Sequence, residues 1–295
     1  MANFDEETLT NLLHKSHRIM NKNLKFYFTA TLVLVSTLIF AQLPEEIKWK
    51  HLQKNYNADS SELVLSLNNK LLDGKYKIPF DEGGFALYNI KKGIITGEAF
   101  WYSQGGTIEC KLYYKKGVRN GLKENYDNQG KVWLHQEYKD GKKNGVSEMY
   151  SGGKLVNKSV YKADKKHGLS QTFSGDKVIT EAYYENDLKN GTSKSYGLDG
   201  ELAVEIGYKN DKRDGVYRVY NNGQIITETN YQNDLQHGLS TTYALGKKNM
   251  DAEFVNGKRH GIAHMYKADG TTLFTHYYLN GEKVTEAIYN QSQKK

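Results

Sequence analysis

Nine histidines are the side chains best suited to chemistry in this 295-residue chain, and three of them recur at one place. His167, His237 and His260 each stand directly before a glycine, in a slot held elsewhere by Asn120, Asn144, Asn190 or Asp214. A zinc site needs several ligands about 2.1 Å from one ion. Single imidazoles recurring along an extended chain stay apart, and the Asn and Asp alternatives point to a turn residue that tolerates left-handed backbone. His260 and His264 are four positions apart, roughly 13 Å on a strand. No metal site is expected.

Carboxylates recur too. Glu181, Glu205 and Glu228 each precede a tyrosine by three positions. Acid–base catalysis needs such groups to converge on one bond, whereas equal intervals set them in a row, where cross-strand pairing with lysine accounts for them. Phosphate loops, nucleophile elbows, paired cysteines and the His-Glu-x-x-His motif are absent from the sequence. Cys110 is the only cysteine, so no internal disulfide forms; between Ile108 and Leu112 it reads as a half-buried strand residue. No catalytic residue and no cofactor is expected.

These residues are positioned by a repeat. The segment from Tyr138 to Tyr150 is one copy: an aromatic, then Gly141 three places on, Gly145 four later, and a second aromatic five after that. The first aromatic recurs at Tyr114, Tyr138, Tyr161, Tyr184, Tyr208, Tyr231, Phe254 and Tyr278, always 23 or 24 apart, with Ile90 in the first unit. The place of Gly141 is taken by Asp164, Asp187, Asp211 and Asp234 in the central units, and only Thr285 breaks the second glycine. The second aromatic is Tyr102, Tyr126, Tyr150, Phe173, Tyr196, Tyr220, Tyr243 or Tyr266. A further small residue, such as Gly130, Gly153, Asp176 or Gly223, follows at three or four positions and absorbs all the variation in period. A one-residue change inside a strand would flip every later side chain, while a hairpin turn accommodates it, so this segment is a turn.

The runs between are rich in Tyr, Val, Ile and Thr and bounded by Gly, Asn and Asp, which predicts strands. Glycine at these intervals costs a helix about 1 kcal/mol each. Turn, strand, turn and strand make a β-hairpin meander in which each unit adds roughly 10 Å. Residues 88 to 289 resemble the MORN repeat, Tyr-x-x-Gly-x-x-x-Gly-x-x-x-x-Tyr, and more closely its bacterial variant, the YwqK-type antitoxin family. The resemblance implies the same all-β architecture, an elongated single-layer antiparallel sheet of about eight tandem hairpin units, and an antitoxin or immunity role through direct binding of a toxin. Ile90 and Thr285, at the ends, resemble caps.

Composition fits a thin sheet. Apolar residues make up 38% of the chain, with 23 Tyr against 10 Phe; tyrosine rings stack while their hydroxyls reach water. Glycine beside the rings is expected to leave them room over neighbouring backbone. Both prolines, Pro44 and Pro79, precede the array. The expected divisions are an extension or misassigned start at 1–19, a signal peptide at 20–41, an irregular cap at 42–86, the array at 87–289 and a tail at 290–295. The signal reading rests on Lys22 and Lys25 before an uncharged run from Phe26 to Ala41, shorter than the roughly 20 residues of a membrane span. Within the cap, Glu45 to Tyr56 reads as a short helix, and Gly74, Gly83 and Gly84 around Tyr76 and Phe80 as a half-hairpin covering the first strand edge.

The net charge of +7 is patterned. Lys142 and Lys143, Lys165 and Lys166, Lys212 and Arg213, Lys258 and Arg259 fall in the same turn of successive units, predicting a basic edge that could attract anionic lipid or glycan; solubility and protection of the edge account for it more simply. Nucleic acid is disfavoured for an exported chain. The expectation is an exported, non-enzymatic scaffold whose Tyr-rich surface, represented by Tyr126, Tyr150, Tyr220 and Tyr243, binds a protein. An antitoxin role and a peripheral membrane role are the alternatives.

Overall fold

The computed structural model describes residues 44–56 and 63–294. The expected signal peptide at 20–41 and the extension before it lie outside the described residues. The chain divides into two units, Met1–Glu46 and Ile47–Lys295. In the first, the described secondary structure is the short strand Glu45–Glu46.

In the second unit, strands such as Val132–Lys139, Lys142–Ser151, Lys154–Lys162 and Lys165–Ser174 each pair antiparallel with the next. The series runs on to Thr272–Leu279 and Glu282–Val284. The result is the long open all-β sheet of consecutive hairpins that the repeat predicts.

Two kinds of turn alternate. At the first, both central residues are left-handed, as at Asn186 (φ 52°) and Asp187 (φ 73°) or Asp140 (φ 49°) and Gly141 (φ 81°), the type I′ signature that matches strand twist. The second has two forms. Asn222 and Gly223 make a tight two-residue turn, whereas the longer units close a wider loop in which Gly130 N–H donates to Asp127 O at 2.9 Å and Asp127 Oδ1 accepts from Gln129 and Lys131. The 23 or 24 alternation is this choice. In the unit of Phe173 the left-handed residue is Gly175 (φ 62°), one place before the expected Asp176.

First turns on one edge are bonded to each other. Gly141 N–H donates to Arg119 O at 2.8 Å, and Asp164, Asp187 and Asp211 donate likewise to Lys143, Lys166 and Lys189. Where the turn residue is Asp, its carboxylate also accepts the backbone N–H of that same cation: Lys143 to Asp164 at 2.8 Å, Lys166 to Asp187 at 2.7 Å, Lys189 to Asp211 at 2.6 Å. The central aspartates, which look like departures from the glycine pattern, thus add a second bond between units.

The second glycine and the histidine slot before it are not in a turn. Gly145 lies inside Lys142–Ser151 with φ 111°, at an irregularity in the ladder, and the preceding residues are extended. His167, His237 and His260 are therefore strand residues, and His260 reaches Asn280 in the next first turn at 3.2 Å. The room this glycine leaves goes to the side chain just before the first aromatic, a tyrosine ring in some units and a carboxylate in others. A Cβ on Gly145 would strike the Glu137 carboxylate, which accepts from Val146 N–H at 2.9 Å; Gly121 and Gly191 similarly lie against Tyr113 and Tyr183, the residues just before the first aromatic.

The N-terminal segment differs from expectation. The stretch 45–56 holds the short strand Glu45–Glu46, a 3-10 turn, Trp49–His51, and strand Gln53–Tyr56, with no helix of the expected length. Gly74–Pro79 and Phe85–Lys91 form a full hairpin belonging to the long sheet. A three-stranded sheet, Gln53–Tyr56, Leu63–Leu67 and Lys70–Leu71, contributes to a conventional core of Leu65, Ile78, Ile90, Leu72 and Ile47, all under 6% exposed. The array's single layer thus gains a second layer at this end. Leu72 O accepts from Gly93 N–H at 2.7 Å, the bond that Arg119 O makes to Gly141, so the cap presents the first unit with the acceptor a preceding unit would supply. At the other end Thr285 caps the helix Glu286–Ser292, accepting from Ile288 N–H, so helix replaces the last expected positions of the array.

Backbone geometry sets two opposite expectations for urea unfolding midpoints. Gly145→Ala, at φ 111° against Glu137, lowers stability by about 2 kcal/mol. Leu245→Asn, at φ 51° and fully exposed in its turn, raises it by about 1 kcal/mol.

Candidate binding faces

Strand alternation divides the side chains between two faces. On the first face lie the first aromatics, with buried, mostly small residues two positions before them: Gln136, Ser159, Ala182, Thr229 and Ala252 are 8% exposed or less. Cations of the preceding unit cover the rings. Arg119 stands 4.6 Å from the Tyr138 ring centre, Lys143 5.1 Å from Tyr161, Lys166 5.1 Å from Tyr184, Lys189 4.9 Å from Tyr208 and Arg213 4.2 Å from Tyr231. A trough of about 340 Å³ lies here beside Tyr184 and Tyr208, with Ala182, Ser193 and Ile206 in its lining.

On the second face the registers align one polar row across the sheet: Lys111, Glu124, His135, Glu148, Lys158, Gln171, Glu181, Lys194, Glu205, Arg218, Glu228, Thr241, Asp251 and His264. Charges alternate along much of it. His135 Nε2 is 3.2 Å from Glu124, Lys158 Nζ is 2.9 Å from Glu148, and Arg218 bridges Glu205 and Glu228. The repeated glutamates are thus cross-strand partners of cations, as their spacing predicts, except that Glu181 faces Gln171 and Glu228 faces Thr241 on one side.

The second aromatics hang on this row. Tyr126 and Tyr150 donate to Glu124 and Glu148 at 2.9 Å, Tyr196 to Glu181 at 2.9 Å, Tyr220 to Glu205 at 3.2 Å and Tyr266 to Asp251 at 2.7 Å. Burial, then the carboxylate bond, pushes the Tyr126 hydroxyl up to about 12. Tyr243 makes no such bond among the described residues, though its ring is half-exposed like the rest. The four tyrosines expected to bind a partner therefore share one face, three of them oriented by carboxylates. Beside them stand exposed Tyr113, Leu122, Trp133, Tyr183 and Leu239, unmarked in the sequence reading. The polar row too is visible only on aligning two columns, three before the first aromatic and two before the second, where Lys111 with Glu124 in early units becomes Glu205 with Arg218 in later ones.

The basic edge is half as available as its sequence suggests. Lys143, Lys166, Arg213 and Arg259 lie over rings of the next unit, and Arg213 also meets Asp234. Lys142, Lys165, Lys212 and Lys258 are exposed and form no ion pair among the described residues. Among those residues no three His, Cys, Asp or Glu side chains gather as a metal cage. Cys110 is half-buried in Ile108–Lys115, and burial pushes its thiol up, away from reactivity.

Lys158 holds the Glu148 carboxyl below its ordinary range against the opposing effect of burial, with Tyr150 and His135 assisting. Burial raises Asp251, but Tyr266, His264 and Lys248 outweigh it and lower the carboxyl. Stability from these lowered groups is complete above the ordinary carboxylate pKa of about 4 and is lost as pH falls through the folded values. Thermal midpoints measured from about pH 5 to pH 2 should fall less steeply in the double variant Glu148→Gln, Asp251→Asn than in the parent. Identical slopes would separate the row from acid stability.

No protein-family model matches this chain, and no curated protein matches it.

Proposed function

We propose that the chain is an exported, non-enzymatic scaffold of the MORN-repeat type that binds a protein partner along its second face. One observation carries the reading: tyrosine hydroxyls fixed on a row of alternating charges, with the rings left half-exposed and apolar side chains beside them. Rings already held in place lose little entropy on contact, and a charge row sets the register of a complementary surface. A toxin is one such partner, as the YwqK resemblance implies. Export rests on the basic and apolar leader before Gln42.

Affinity capture with residues 42–295 against the native cell envelope is expected to retain a protein. Tyr126→Ala, Tyr150→Ala, Tyr220→Ala and Tyr243→Ala combined should release it, single changes at central positions costing about 2 kcal/mol. Capture unaltered in the fourfold variant would move the contact elsewhere. The exposed Lys142, Lys165, Lys212 and Lys258 favour anionic lipid as a second reading, and sedimentation with anionic liposomes that does not fall with added salt, or does not occur, removes it.

A further inference from the structure

We propose that the C-terminal edge of the sheet is a strand-addition site that takes an extended segment of a partner polypeptide along Phe274–His276. Inside the array, strands of this type are paired on both sides. Val132–Lys139 meets its predecessor from Tyr126↔Val132 to Gly121↔Tyr138 and its successor from Leu134↔Met149 to Lys139↔Lys142. Thr272–Leu279 pairs with Lys258–Tyr266 from Tyr266↔Thr272 to Gly261↔Tyr278, but among the described residues its successor Glu282–Val284 reaches only Tyr277, Tyr278 and Leu279. Thr285 then starts the helix, whose Tyr289 ring packs 5.3 Å from Tyr277.

Phe274, Thr275 and His276 therefore stand where Leu134, His135 and Gln136 meet Met149, Glu148 and Ser147. Exposure agrees: Thr272, Leu273, Phe274 and Thr275 are all exposed, two from each face, with Phe274 at 53%. Protein edges are normally blunted by charge, proline or a bulge. From Thr271 to Thr275 there is neither charge nor proline, and the one register irregularity, at Leu273, lies before the unpaired residues. At the opposite end of the sheet Ile47 N–H bonds Lys77 O on the outer strand.

The size of the gap selects the occupant. Three residues span about 10 Å. A dimer joined through so short an edge falls far below the roughly 1,200–2,000 Å² of a stable interface, whereas strand addition draws affinity from main-chain hydrogen bonds at this length. Register specifies the rest. Residues opposite the inner equivalents of His276 are mostly small, as Ser147, Ser170, Ser193 and Ala263, and those opposite Phe274 include Met149, Val219 and Met265. An uncharged or apolar residue two positions from a small one is the pattern an incoming strand must carry.

The probe is a fluorescent synthetic peptide with the sequence of residues 142–151, a strand that fills this place within the array, titrated into the full chain. Saturable binding is expected, with slowed amide hydrogen exchange at 274–276. Phe274→Lys, checked for unchanged circular dichroism, and a peptide with proline in place of its central serine should each weaken binding at least about tenfold. Absence of binding up to about 1 mM peptide, equal affinity in Phe274→Lys, or protection confined to other strands overturns the proposal. So does a dimer in sedimentation that Phe274→Lys dissolves, because a second copy then occupies the edge. Loss of capture through the tyrosine variants leaves this titration unaffected, so the two readings fail separately.

Discussion

Every unit of this sheet touches only the unit before and the unit after, so cohesion must be rebuilt at each step. The recurring bond is the one between first turns, where a left-handed pair of residues points its N–H at a carbonyl one unit back, that of a cation in the central units. Asp164, Asp187 and Asp211 add a carboxylate to the same clasp, and the cation's own side chain folds over the next aromatic. One residue thus supplies a backbone acceptor, a backbone donor and a charge over a π face. A shift of one position would disconnect all three, which is why the turn tolerates no change in length while its opposite number does.

Such construction explains a polar chain that folds without a thick core. Along the array, burial falls on serine, threonine and alanine beneath the first aromatics, and on a charge row whose members satisfy one another. Desolvation is modest because the row stays partly open, so the ion pairs contribute order and register more than large free energies. The same row orients the second tyrosines. Structural cohesion and a prepared contact surface come from one set of carboxylates.

The ends show what nearest-neighbour architecture demands. At the N-terminal side the cap imitates a unit, lending Leu72 O to Gly93 and closing a true hydrophobic core around Leu65 and Ile78. At the C-terminal side a short strand and a helix cover only part of the final edge. One end is sealed by burial and the other by brevity, and the difference leaves a stretch of main chain available.

Period, turn positions and fold class were legible in the sequence because glycine and aspartate at fixed intervals specify left-handed backbone locally, wherever the rest of the chain goes. The placement of Tyr126, Tyr150, Tyr220 and Tyr243 on one face followed from period and alternation. Three things needed the tertiary structure. Gly145 and its equivalents read as turn residues, yet they relieve a bulge against Glu137 or Tyr113, a contact set by the neighbouring strand. Lys143 and Lys142 are chemically alike, and only cross-unit geometry commits one to Tyr161 and leaves the other in water. The cap carries no repeat, so beyond the hairpin marked by Gly74, Gly83 and Gly84 its strands were unreadable until burial of Ile47, Leu65 and Ile78 against one another chose them. Local conformation is encoded residue by residue; which side chains meet across strands is decided by register, and register exists only once the sheet has formed.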